Sequence, residues 1–180
     1  MSGRINAFRS AVIADFNSKL TGQLKPRSIE PQFGRFNLEE LDRFSIKTPA
    51  IRVAVLTGDV PTVPSGEVEA ELKCAAFVIT EGNLREELGW MLGEAIATRM
   101  HSGQLWGIVR LSAPSKVAIR PIVSASLKDR GVAIIAVEWT QTLRGLGEGI
   151  FDQAGEVITG IEINGVPLEI PTAEDGDEQP

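Results

Sequence analysis

The stretch EAELKCAAFVIT, Glu69 to Thr80, changes character halfway along. Glu69, Glu71 and Lys73 alternate with Ala70, Leu72 and Cys74, the period of two that gives a strand one wet and one dry face. From Ala75 to Ile79 both faces are apolar, so a long strand leaves a rim and enters a core. Upstream, Ile51 to Leu56 lies between Pro49 and Gly58 and is rich in β-branched and apolar residues, which predicts a buried strand. Thr57 to Gly66 contains Gly58, Pro61, Pro64 and Gly66, and reads as a loop.

Downstream, Asn83 with Glu86 three positions on has the form of a capping box. Leu88, Met91, Leu92, Ala95, Ile96 and Arg99 then mark one face of a helix. Gly89, Gly93 and Ala97 form a second stripe at four-residue spacing. Glycine inside a helix costs about 1 kcal/mol relative to alanine, so the stripe implies close approach of another element. That element is either the sheet of the same domain or a neighbouring copy. Leu105 to Leu111 reads as a short strand ended by Pro114. Ile119 to Leu127 and Val132 to Leu143 read as an antiparallel hairpin around Lys128, Asp129, Arg130 and Gly131, with glycine where a left-handed backbone is often needed.

At the N-terminus, Ile5, Phe8, Val12, Phe16 and Leu20 recur at helical spacing with Ile13 beside them, predicting an amphipathic helix that ends near Gly22. Its apolar stripe is expected on the sheet of its own domain, with a neighbouring copy as the alternative. Pro26 and Pro31 break regularity, and Asn37 with Glu40 suggests a capped short helix over Leu38 to Phe44. Beyond the glycine-rich stretch Gly145 to Gly155, Asn164-Gly165 predicts a hairpin turn between Ile161 to Ile163 and Val166 to Leu168. The expected fold is α+β: a mostly antiparallel sheet with two main helices packed on it, plus a small C-terminal β-hairpin. The expected organisation is one core domain over 1–155, the hairpin extension over 156–171, and a disordered acidic tail over 172–180.

Bulk properties narrow the function classes. Hydrophobic residues make up 43% and charged residues 23% of the 180, ordinary globular usage that argues against a fibrous or wholly disordered chain. The apolar runs are far too short for a membrane-spanning helix. Met1 to Leu20 spreads Arg4, Arg9, Asp15 and Lys19 among its apolar positions, unlike a secretory signal, so the chain is expected to stay in the cytoplasm of the cell that makes it. Of the formal charge of −6, four negatives lie in Glu174, Asp175, Asp177 and Glu178, so the body carries only −2. A nearly neutral body does not suit a domain that grips nucleic acid through phosphate neutralisation.

No catalytic constellation stands out, and none of the residues is assigned a catalytic, cofactor-binding or metal-binding role. Cys74 and His101 are the single cysteine and single histidine, too few for a cysteine/histidine zinc site. A small cysteine hydrolase using Cys74 with His101 is the alternative from a different class, weakened by the apolar setting of the cysteine. The carboxylate pairs Glu39 and Glu40, Glu69 and Glu71, and Glu86 and Glu87 are explained by helix starts or a solvated strand face. Neither a GxxxxGK[ST] sequence nor a strand-linked GxGxxG is present, so no phosphate cradle is signalled. Trp90, Trp106 and Trp139 are dispersed without interleaved basic residues and suit core or interface packing better than base stacking.

The first helix, the stretch FGRFNLEELDRFSIKTPAIRVAVL from Phe33 to Leu56, the AAFVIT strand, the capped helix and the block SLKDRGVAIIAVEWTQTL from Ser126 to Leu143 together resemble the tail-terminator proteins of Mu-like bacteriophages. The resemblance covers about residues 5 to 147 and rests on pattern and order, not on a catalytic signature. It implies a non-enzymatic structural protein of the virion, assembled in the host cytoplasm. Subunits of that family form a ring, commonly hexameric, on the end of the finished tail tube; the ring stops polymerisation and offers a surface for head joining. The implied partners are other copies of the chain, the tail tube protein and the head-tail connector protein, with DNA passing through the ring without sequence-specific binding. A head-tail connector or a tail tube protein is the alternative within the structural class.

Overall fold

Glu69–Glu81 and Val132–Arg144 pair antiparallel along their whole lengths, from Glu69 opposite Arg144 to Glu81 opposite Val132. The structure, a computed structural model, describes residues 3–35, 46–62, 66–101, 103–122, 127, 129 and 131–147, and the backbone of 161–163 and 166–168. The described elements are helix α1 (Arg4–Lys19), β1 (Ser28–Phe33), β2 (Ala50–Asp59), β3 (Glu69–Glu81), helix α2 (Arg85–Arg99), β4 (Ser115–Ile122), β5 (Val132–Arg144), β6 (Ile161–Ile163) and β7 (Val166–Leu168). The main sheet is five-stranded and mixed, in the order β1-β2-β3-β5-β4. β1 runs parallel to β2, and every other neighbour in it is antiparallel. Among the described residues the fold is therefore α+β, with the two long helices on a five-stranded sheet.

Both helices cover one face. Phe8, Val12 and Phe16 of α1 are buried and join Ile51 and Val53 of β2, Leu72 and Cys74 of β3, and Trp139 and Leu143 of β5 in one core. Burial of each large side chain contributes roughly 1.5–3 kcal/mol, so this stripe fixes the helix on its own sheet, as the first of the two alternatives had it. α2 places Gly89, Leu92, Gly93 and Ile96 against β3, β4 and β5. Asp15 and Arg99 join the helices through a two-pronged ion pair, 2.8 Å from Nη2 to Oδ1 and 3.1 Å from Nε to Oδ2. On the opposite face, Ala54, Ala75, Phe77, Ile79, Ile134 and Ala136 form a second, smaller core with Leu127. The change in Glu69 to Thr80 from alternating to apolar is thus the passage of β3 from a half-wet rim to cover on both faces.

Several sequence expectations are corrected. β1 occupies the segment that Pro26 and Pro31 seemed to exclude. It lies at the sheet edge, where a ladder on one side only limits what proline costs. Arg52 on β2 pins it, reaching Glu30 at 3.0 Å and Ser28 Oγ at 3.1 Å. The loop expected from Thr57 begins later, because a bulge between Val55 and Thr57 lets β2 continue to Asp59, where Lys73 pairs with Asp59 at 2.9 Å. The Asn83 cap does not form. Leu84 holds the N-cap position without a side-chain bond, and the Arg85 N–H turns to the Gly82 carbonyl at 3.4 Å in a turn that Gly82 enters at φ +90°. Met91, placed on the inner face by periodicity, is half exposed.

Leu105 to Leu111 is not a strand but a run of turns ending in one bridge, Leu111 to Leu143. Trp106 and Arg110 take left-handed backbone conformations there, at φ 52° and 59°, which an extended strand cannot contain. The strand expected over Ile119 to Leu127 is displaced to Ser115–Ile122, and Leu127 is helical and buried in the second core. The antiparallel pairing with Val132 onward does occur, from Ile122 opposite Ile134, and Gly131 is left-handed at φ +67°. The short helix over Leu38 to Phe44 and the tail over 172–180 lie outside the described residues. So does most of the C-terminal extension over 156–171, of which only the backbone pairing of β6 with β7 is described.

Candidate assembly surfaces

The residues with chemical potential are placed apart and occupied locally. Cys74 is buried between the central strands and the helices, where desolvation pushes the thiol well above its ordinary range. Its Sγ lies 3.8 Å from the Leu72 carbonyl. His101 is exposed beyond the end of α2, and its Nδ1 accepts the Gly103 N–H at 3.2 Å. A thiol held neutral and an imidazole turned to its own loop do not make a nucleophile and base. Among the described residues, no group of three His, Cys, Asp or Glu side chains could hold a metal ion, and no helix is long and apolar enough to cross a membrane.

Three rim carboxylates are matched with cations on other strands of the sheet, the Glu71 pair reaching across β5. Glu69 meets Arg144 at 2.9 Å, Glu71 meets Lys116 at 3.4 Å and Glu138 meets Arg120 at 3.0 Å. These are cross-strand pairs on a solvated rim, each of modest strength. Glu86 and Glu87 sit in the first turn of α2, where the helix dipole favours them, and Glu39 and Glu40 lie outside the described residues. The glycine stripe faces inward. A Cβ on Gly93 would stand 3.2 Å from Ile135 Cγ2 and 3.5 Å from Ile119 Cγ2, and one on Gly89 would stand 3.3 Å from both Ile135 Cγ1 and Thr80 Oγ1. The close partner of the stripe is the chain's own sheet.

The tryptophans divide into two roles. Trp106 and Trp139 both donate through Nε1 to Gln141 Oε1, at 2.8 and 3.0 Å, while Gln141 Nε2 donates to the carbonyls of Ser112 at 2.8 Å and Gln104 at 3.3 Å. A single buried amide thereby ties the loop after α2 to β5, and Phe16 meets the Trp106 ring edge-on at 5.9 Å between centroids. Arg4 adds a bond from Nη2 to the Val109 carbonyl at 2.6 Å. Loop and helix are locked together, with Val109 itself pointing outward. Trp90, in contrast, is 46% exposed.

Among the described residues, two features open to other molecules lie at the two edges of the sheet. β1 ends in Phe33, opposite Val55 in register and 95% exposed, while Arg35, two residues on, lines a cavity over the second face of the sheet with Leu56, Phe77, Ala136 and Arg120. The other edge is β4. Beside its end, a cavity of about 300 Å³ opens between the start of α2 and β5, lined by Trp90, Pro121, Ile122, Leu127 and Ile134, with Arg85 and Glu86 at its rim. β1 and β4 run in opposite directions, as the pairings from β1 through β5 require. Phe33 and the cavity therefore occupy diagonally opposite corners of the sheet. Neither feature was legible in the sequence, since an aromatic at a strand end reads the same whether it faces water or core. The chain matches no family model and no curated protein.

Proposed function

We propose that the chain is a structural virion protein that acts as a phage tail terminator, closing into a ring, commonly of six copies, on the end of the tail tube. The observation that carries this reading is the open sheet with two unlike edges. A ring repeats one heterologous contact, so each subunit must offer two different surfaces that meet on neighbouring copies. β1 with its exposed Phe33 and β4 with its adjoining cavity supply two such surfaces. The resemblance over residues 5 to 147 selects the tail terminator among ring formers. The tail tube protein and the head-tail connector are the implied partners, and the virion is the implied location. A body charge of only −2 suits a channel that DNA traverses without being held.

Native mass spectrometry and electron microscopy of the purified chain, alone and with tail tubes, test the reading. Closed rings, or rings capping tube ends, are expected. Long tubes built from the chain itself would make it a tube subunit instead, and a monomer that ignores tube ends would overturn the proposal.

A further inference from the structure

We infer, building on the ring reading, that the contact repeated around the ring seats Phe33 of one subunit in the cavity beside Trp90 of the next. Among the described residues Phe33 has the most exposed large apolar side chain, at a strand end where its ring meets water. Aromatic anchors that fill a pocket on the partner dominate many protein interfaces. The cavity offers about 300 Å³ with walls of Trp90, Pro121, Ile122 and Ile134, and a cavity of about 150 Å³ is enough to hold benzene.

Charge supports the same partner. Arg9 lies beside the phenylalanine through its bond to the Gln32 carbonyl at 3.3 Å. The cavity rim presents exposed Glu86, with Glu87 next to it on the first turn of α2. Arg85, the cation on that rim, directs Nη1 to the Gly82 carbonyl at 3.1 Å. One cation beside the knob thus faces a mouth with two carboxylates and one arginine, a small net negative charge. Knob and cavity lie at opposite edges, so each contact uses a different surface of the chain. Each pairing leaves one knob and one cavity open for further copies, which is the condition for a ring.

Two substitutions at exposed positions test the contact. Phe33→Ala removes the knob, and Glu86→Trp places bulk over the cavity mouth; circular dichroism and thermal unfolding check that each variant is folded. Each alone should be monomeric by native mass spectrometry, with association weakened at least about thirtyfold, the scale of an aromatic hot spot. Mixed together, they should form a dimer and nothing larger, since one intact knob and one intact cavity remain. Rings that survive Phe33→Ala would overturn this contact while leaving the ring reading intact. A dimer formed by Glu86→Trp alone would show a self-complementary contact and overturn it too. A parent chain that stays monomeric even with tail tubes would remove both.

Discussion

The indole of Trp106 donates to the side-chain oxygen of Gln141 at 2.8 Å, across 35 positions of sequence and wholly out of reach of water. The same oxygen also receives the Trp139 indole, and the amide nitrogen holds two loop carbonyls, so one side chain satisfies two buried indoles and two half-buried carbonyls. Gln141→Leu keeps the volume and strands all four. We expect a loss of about 2–4 kcal/mol, measured by urea unfolding, from desolvated groups left unpaired. A loss below about 1 kcal/mol would show that the loop reseats without its amide.

Gly93→Leu should destabilise the monomer, not an interface. The first carbon alone would come within 3.2 Å of Ile135, and the rest has nowhere to go between α2 and β5. Overpacking of this kind costs about 1–3 kcal/mol, equivalent to roughly 2–12 °C in the thermal midpoint at this chain length. Gly93→Ala should be nearly neutral, because the gain in helix propensity of about 1 kcal/mol offsets a small shift of Ile135. A stable Gly93→Leu that fails only to assemble would place the stripe between subunits after all.

Cys74 should resist alkylation in the folded protein and react fully in denaturant. Its thiol is buried and displaced upward from the ordinary value of 9.0 by desolvation, so the reactive thiolate is suppressed at neutral pH. The sign of the linkage follows. The contribution of the buried thiol is complete below pH 9.0 and declines above it, by up to about 1.4 kcal/mol per pH unit, as the unfolded chain alone ionises. Cys74→Ala should flatten this alkaline decline in unfolding experiments. Rapid labelling of the native chain would refute the burial.

Arg99→Lys should weaken the tie between the helices by about 1 kcal/mol, since an ammonium cannot reproduce the two-pronged bond to Asp15. The hydrogen bond to Asp15 is the main cause that raises Arg99 above its ordinary range, with the opposite charge assisting. The contribution of the arginine is therefore complete at every neutral or mildly alkaline pH and is lost only under strongly alkaline conditions. Chemical denaturation of the variant against the parent at pH 7 measures the loss. An unchanged midpoint would reduce the pair to a surface contact.

The parts of the fold that could be read from sequence are those in which burial alone decides conformation. Glu69 to Thr80 and Val132 to Leu143 gave themselves away because alternation and apolar runs reflect which faces are covered. The parts that could not be read depend on distant partners. Ser28–Phe33 is a strand because Arg52 and the edge of β2 receive it, despite Pro31. Residues 105–111 are turns because Gln141 draws Trp106 inward. The Asn83 cap failed for a local reason, the carbonyl of Gly82 being nearer to hand. Surface pairing was the least legible, since Phe33 and the cavity belong to segments far apart in the chain and acquire meaning only by their positions on the sheet.

The long pairing of β3 with β5 also sets a hazard during synthesis. Glu69 and Arg144 are joined by an ion pair across 75 positions, so β3 leaves the ribosome well before its partner exists. At about 5–20 residues per second, the run from Ala75 to Ile79 waits several seconds with one edge open, protected at first only by β2. Such a segment invites pairing with another nascent chain. A holding chaperone that covers this strand should therefore raise the soluble yield more than any change made to the finished surface.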